Sequence, residues 1–209
     1  MLCTPEISFS LIIVGGKAPE SFYMPLDRYA KIIAADSGFD TALSLGIEPD
    51  LIVGDFDSSI NKAKIEEYEH IEAPMDKDES DMELALMNME GSYDLLGGGE
   101  GRLDHLVAIF ALFHKYGVPR YWFTKQDVII GVNSELAINL PINSTISIFP
   151  LSSAKVQSGG LIWELGEKEL SPSFMSLSNR NKTEKVSLKT DRPIFVRIDR
   201  ECFPLMLAE

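Results

Sequence analysis

Short apolar runs alternate with helix-period segments over the first part of the chain. Ser10-Leu11-Ile12-Ile13-Val14 ends in Gly15-Gly16 and suits a buried strand. Lys31-Ile32-Ile33-Ala34-Ala35 is a second such run and leads into Asp36-Ser37-Gly38. A short helix is predicted over residues 39–45, stopped by Gly46. Leu51-Ile52-Val53-Gly54 reads as a third strand, residues 60–68 as a charged helix, and residues 80–89 as a helix with Met82, Leu84, Ala85, Leu86 and Met89 apolar. Tyr93-Asp94-Leu95-Leu96 predicts a strand, residues 104–116 a helix, and Tyr121-Trp122-Phe123 a strand. Strand and helix in alternation predict an α/β fold: an N-terminal, mostly parallel, Rossmann-like doubly wound sheet. Ligands of such sheets bind beyond the carboxyl ends of the strands.

Beyond about residue 126 the helical period disappears. Short β-type runs follow at residues 128–130, 145–149, 161–163, 185–188 and 194–198, separated by Ser, Asn, Gly and Pro. These predict a smaller all-β sandwich, giving an α/β domain over residues 1–125 and a β-sandwich domain over 126–209.

The chain has 209 residues, 45% hydrophobic and 24% charged, so it can bury a real core. No apolar run reaches membrane-spanning length, and residues 1–9 lack the pattern of a signal peptide. Cys3 and Cys202 are the only cysteines and are expected as reduced thiols of a cytoplasmic protein. The net charge of −13 repels nucleic acid and anionic membranes, so neither is an expected partner. It would also repel a nucleotide, unless a cation such as Mg²⁺ mediates.

Four polar clusters stand after predicted strands or at a predicted helix start. In Gly54-Asp55-Phe56-Asp57-Ser58-Ser59, two carboxylates at i and i+2 of extended backbone project to one side and can form part of a Mg²⁺ shell. A solvated strand-end turn accounts for the same residues equally well. In Asp76-Lys77-Asp78-Glu79-Ser80-Asp81, Asp78 and Asp81 stand three apart at a helix start, while Asp78 or Ser80 can simply cap that helix. Gly97-Gly98-Gly99-Glu100-Gly101-Arg102-Leu103-Asp104-His105 joins a strand to a helix. Its backbone N–H groups and Arg102 suit phosphate, and Asp104 can cap the helix or orient Arg102. No Gly-Lys-Ser/Thr follows, so it is not a P-loop. Asp36-Ser37-Gly38 can meet a ribose hydroxyl or a metal-bound water, or cap a helix. In the β region, Trp163 and the polar run Ser176-Leu177-Ser178-Asn179 read first as a core tryptophan and a polar turn.

Taken in order, these segments resemble the thiamine pyrophosphokinase (thiamine diphosphokinase) family. Residues 34–38, 49–58, 77–86 and 101–105 are similar to its Ala-Asp-Gly-Gly, Gly-Asp-Phe-Asp-Ser, Asp-x-Thr-Asp and Gly-Gly-Arg-x-Asp-His segments, and residues 147–151, 160–165 and 178–179 to its C-terminal landmarks. The resemblance implies diphosphate transfer from ATP to thiamine in a homodimer with active sites between subunits. It implies Mg²⁺ on Asp55, Asp57 and Asp81, with Asp36 and Asp78 nearby, and catalysis by Asp55, Asp57, Asp81 and Arg102. Asp36, Ser37, Gly38, Gly98, Gly99, Arg102 and Asp104 would serve the nucleotide, and Trp163, Ser178 and Asn179 would meet thiamine. The chain departs from the family pattern at Ser37, Asp40, Lys77, Glu100 and Ile109. Glu100 adds a negative charge beside the expected phosphate loop. A diphosphokinase for another alcohol such as a pterin, a thiamine or nucleotide sensor, and an aspartyl phosphatase are the alternatives.

Overall fold

The computed structural model describes residues 8–166 and 168–207. The chain is mixed α/β, with a large sheet and a second, antiparallel sheet. Two compact units cluster: residues up to Leu112 with Phe123–Lys125, and Phe113–Trp122 with everything from Gln126 on.

In the first unit, β1 (Phe9–Val14), β2 (Lys31–Ala35), β3 (Leu51–Gly54), β4 (His70–Glu72) and β5 (Ser92–Leu96) pair in the order β5-β1-β2-β3-β4, all parallel. The near-continuous burial of β1, β2 and β3 explains why each reads as an unbroken apolar run. Parallel pairing puts the carboxyl ends of these strands on one edge. The chain steps outward from β1 to β4, then returns to β5 on the other side of β1, so the strand order reverses between β1 and β5. Helices α1 (Gly38–Ser44), α2 (Lys62–Ile65), α3 (Asp81–Met87) and α4 (Leu103–Tyr116) follow β2, β3, β4 and β5. A Cβ on Gly38 would lie 2.2 Å from the carbonyl oxygen of Ile13, so only glycine lets α1 start this close to β1.

In the second unit, β7 (Asp127–Val132), β9 (Thr145–Pro150), β12 (Ser176–Arg180) and β14 (Ile194–Asp199) pair antiparallel in the order β12-β9-β14-β7. β8 (Glu135–Asn139), β10 (Ala154–Gly159), β11 (Lys168–Leu170) and β13 (Lys185–Thr190) pair antiparallel in the order β11-β10-β13-β8. Strict alternation of buried and exposed residues in β9 and β13 gives each sheet one buried face. β6 (Tyr121–Phe123) lies between α4 and β7 in the chain, and α5 (Phe203–Leu207) ends the described residues. Phe195 stacks between Phe113 at 5.3 Å and Phe149 at 5.4 Å, and Phe113 packs edge-on to Trp122 at 5.6 Å. These rings explain why residues 113–122 cluster with the second unit.

Three sequence expectations change. Helix is limited to Lys62–Ile65 within residues 60–68, because Asp40 captures the Ile60 and Asn61 amides and the Asn61 side chain and fixes a turn. Residues 161–163 are not a strand. The Gly160 and Leu161 amides go to Glu164, the Trp163 amide goes to Asn179, and only Leu161 bridges, to Asn181. The polar run at 176–179 is not a turn but strand β12, with a register shift between Ser176 and Asn179 and Ser178 at φ 55°.

Cys202 is a half-buried free thiol whose Sγ lies 3.7 Å from Ser144 Oγ, while Cys3 and the segment expected to lack a signal peptide fall largely outside the described residues. Among the described residues no helix is long and apolar enough to cross a membrane. Phe195→Ala should lower stability by about 3–5 kcal/mol, the usual cost of removing a fully buried phenyl ring. Urea unfolding followed by fluorescence checks this, and a change under 1 kcal/mol would show that the ring does not organise the core.

Candidate functional site

The acids of the first unit gather where β2 and β3 end. One carboxylate oxygen from each of Asp36, Asp55 and Asp57 lies within 4.8 Å of the others. The convergence does not arise from an extended strand. Phe56 sits at φ 60° with its ring buried among Ala34, Phe39, Ile52 and Ile65, and edge-on to His70 at 6.1 Å. A bulky residue is rarely left-handed, and such strain persists only where its surroundings over-determine it. The buried ring supplies that constraint, and the two flanking carboxylates are turned away from the core. Asp55 Oδ1 accepts the Asp57 amide at 3.2 Å, and the Ser58 hydroxyl donates to Asp57 at 2.7 Å. Asp36 is itself left-handed at φ 46°. Gly54, at φ 145°, brings its backbone against Asp36, where an added Cβ would lie 3.2 Å from the Asp36 Cβ.

Asp36 Oδ1 is buried and has no hydrogen-bond donor. Burial raises the Asp36 pKa, and the Asp81 and Asp55 charges raise it further. The Ser37 amide and Ser58 hydroxyl oppose the shift without cancelling it. An orphaned buried oxygen facing two more carboxylates is a hard, oxygen-only donor set and fits Mg²⁺. Asp81 stands beside this trio, tied to Lys77, whose Nζ lies 2.9 Å from Asp81 and 3.9 Å from Asp55. Partial burial works against the Lys77 charge, but the hydrogen bond and attraction of Asp81, with the fields of Asp55 and Asp36, raise its pKa overall. In the family motif Lys77 stands out only as a departure from the pattern. Its i,i+4 spacing to Asp81 was the available signal. Ser80 caps α3 by accepting the Glu83 amide at 3.2 Å. Asp78 is exposed and does not line the cleft described next.

A cleft of about 520 Å³ opens at the reversal between β1 and β5. Gly15, Gly16, Asp36, Ser37, Ser58, Asp81, Gly98, Arg102, Asp104 and Ile109 are among the residues lining it. Gly98, at φ 70°, is left without a side chain by sterics. A Cβ there would meet Ile109 Cδ1 at 2.8 Å and Val14 Cγ2 at 2.9 Å. Gly99 backs onto Thr124, and Gly38 is buried beneath the strand end rather than lining the cleft. Arg102 is exposed and forms a two-point pair with Asp104, Nε to Oδ1 at 3.1 Å and a terminal nitrogen to Oδ2 at 2.5 Å. Their hydrogen bond lowers the Asp104 pKa and raises that of Arg102. Asp104 also accepts the His105 amide, so it orients the arginine and satisfies a first-turn amide of its helix together. Glu100 is balanced by Lys17, 2.9 Å away, a partner the motifs did not reveal.

In the second unit, Trp163 is not a core residue. It is 62% exposed. Asn179 is buried, and Ser178 is exposed with its amide bonded to Ser147 Oγ at 3.1 Å. A more open hollow of about 630 Å³ lies against β8, β10 and β13, with Glu135 and Lys189 as its only charged lining residues. It lacks convergent acids.

The fold and site define an α/β protein whose acidic loops meet beside a glycine-rich turn at the reversal of a parallel sheet. Residues 25–123 match the family model of the thiamin pyrophosphokinase catalytic domain. Solved structures of similar fold include a thiamin pyrophosphokinase family protein from Enterococcus faecalis (22% identity, TM-score 0.73, 92% of this chain and 98% of that one). The thiamine pyrophosphokinase of Bacillus subtilis (24%, 0.71, 92% and 98%) and that of yeast (14%, 0.68, 94% and 87%) are further examples. Comparison with curated protein sequences gives no match.

The raised Asp36 pKa has a sign that can be tested. Its folded form favours the proton, so this contribution to stability is fully present below the ordinary carboxylate range and is lost as pH rises through the elevated value. At neutral pH with chelator, Asp36→Asn should therefore raise the melting temperature, by roughly 2–4 °C per kcal/mol of relieved repulsion. Added Mg²⁺ should stabilise the wild type and not the variant. Differential scanning calorimetry checks both, and a wild type indifferent to Mg²⁺ would exclude a metal at these acids.

Proposed function

We propose that this protein is a thiamine diphosphokinase, converting ATP and thiamine to AMP and thiamine diphosphate. The convergence of Asp36, Asp55 and Asp57 at a sheet edge, beside a glycine-rich turn, carries the proposal. The family match over residues 25–123 supports it.

A chain of net charge −13 accommodates a polyphosphate only where cations intervene. Asp36, Asp55 and Asp57 would hold Mg²⁺, with Asp81 beside them. The bound ion would supply charge neutralisation and orient phosphate oxygens. Arg102, pre-oriented by Asp104, presents a planar fork to phosphate at the mouth of the cleft. Gly98 lines the cleft and lets the backbone approach the nucleotide, and Ser37 lies at the cleft wall. The thiamine hydroxyl oxygen attacks the β-phosphorus in line. The bond from that phosphorus to the α–β bridging oxygen breaks, and AMP leaves with the electron pair. A carboxylate of the acidic cluster takes the hydroxyl proton. The protein's share is positioning and charge stabilisation. Lys17 beside Glu100 offsets the negative charge next to the glycine-rich turn.

Purified protein incubated with ATP, Mg²⁺ and thiamine should yield AMP and thiamine diphosphate in equal amounts. Asp57→Asn should cut that turnover by orders of magnitude with the fold intact by circular dichroism. Near-normal AMP release from the variant would remove Asp57 from the site. Product formation from a pterin alcohol and not from thiamine would reassign the substrate.

The proposal includes a homodimer with active sites shared between copies. Exposed Ile162, Trp163, Phe174, Met175 and Leu177 support it, since scattered apolar side chains are ordinary but this many within sixteen residues suggests an interaction surface. Sedimentation velocity at micromolar concentration should give a dimer, and a single monomeric species would overturn that part.

A further inference from the structure

The second unit holds an aromatic ring in solvent on a mount that has almost no freedom left. Asn179 is 2% exposed, and its amide uses every bond it can make. Oδ1 accepts the Trp163 amide at 3.3 Å and the Arg180 amide at 2.8 Å. Nδ2 donates to the Trp163 carbonyl at 2.8 Å and to Ser176 Oγ at 3.2 Å. One side chain thus grips both backbone polar groups of Trp163, as a neighbouring strand would.

The residues on either side are held as firmly. Glu164 Oε1 accepts the Gly160 amide at 3.0 Å, the Leu161 amide at 3.2 Å and Lys182 Nζ at 2.9 Å. Its Oε2 accepts Ser158 Oγ at 2.6 Å, and that same hydroxyl accepts the Leu165 amide at 2.8 Å. Partial burial disfavours the Glu164 charge, but these donors outweigh it and hold its pKa below the usual range. The turn is fixed from within, and the indole it carries stays largely in water.

We propose that Asn179 is a positioning residue that acts through the Trp163 backbone to hold the indole as a preformed stacking face. Asn179 does not touch the substrate. This revises the expectation that Asn179 meets thiamine directly, since its amide is buried and has no bond left to offer. It rests on the proposed function in taking thiamine, a flat cation, as the ring that stacks. The electron-rich face of Trp suits such a ring. With the Trp163 backbone already fixed, only the rotamer of the indole is left to order at the moment of binding.

The test is a double-mutant cycle on the full chain, with Trp163→Ala, Asn179→Ala and the pair, reading thiamine KM, ATP KM and kcat. Thiamine quenching of tryptophan emission supplies a readout free of turnover. Asn179→Ala should raise the thiamine KM about tenfold, shift the quenching midpoint equally, and leave ATP KM and kcat at saturating thiamine within twofold. In the Trp163→Ala background the Asn179 substitution should add nothing. If Asn179→Ala does not fold, Asn179→Asp keeps the shape and both acceptor bonds but loses both donors, and should move the same parameters in the same direction. An unchanged thiamine KM would overturn the proposal, as would an equal rise with and without Trp163, which would mean direct contact. A wild type that neither converts thiamine nor shows quenching would instead overturn the function on which the proposal rests.

Discussion

Like charges crowded into a small space repel, and the first unit is organised around keeping four carboxylates close despite that. Asp36, Asp55 and Asp57 lie within reach of one shared ion, with Asp81 next to them. Two backbone positions in unfavourable conformations, Asp36 and Phe56, hold the arrangement. Packing supplies the compensation: Phe56 is driven inward by burial of its ring, and Asp40 pins the following turn through four hydrogen bonds. The tethered ammonium of Lys77 lowers the remaining repulsion. Proteins tolerate such local instability chiefly where a ligand will relieve it.

Much of this was legible in the sequence, and the exceptions share a cause. Strands buried on both faces, β1 to β3, announce themselves as apolar runs, because nothing polar is admitted there. β8, β10 and β12 mix small, polar and charged residues on edges or half-exposed faces, and their patterns do not stand out. The Asp55-Phe56-Asp57 segment was found because paired acids directly after a buried strand are locally visible. Its geometry is not the extended one that the spacing predicts, because what forces Phe56 left-handed is a pocket built from distant residues. Lys17 beside Glu100 is invisible to a linear scan, being eighty-three positions away. Asn179 is equally opaque to a linear scan, since the four bonds of its amide join it to Trp163, Ser176 and Arg180 only in the fold.

The two units meet different demands with the same device, a side chain that replaces regular backbone pairing. In the first, carboxylates of Asp40, Asp50 and Asp104 bind amides at turns and strand ends. In the second, Glu164 and Asn179 do so around one exposed ring. In each case a rigid loop results where a plain loop would be mobile, and rigid loops are what a site needs to present groups at fixed spacing.

Phe56 has one more implication. Because a greasy wedge alternates with two acids, the loop has a phase, and only one phase puts each residue type where it is tolerated. Slipping the chain by a single position would drive a carboxylate into the hole and leave the phenyl ring in water. The hole thus acts as a keyway, and the segment is intolerant of one-residue insertions or deletions even though it lies outside any helix or strand.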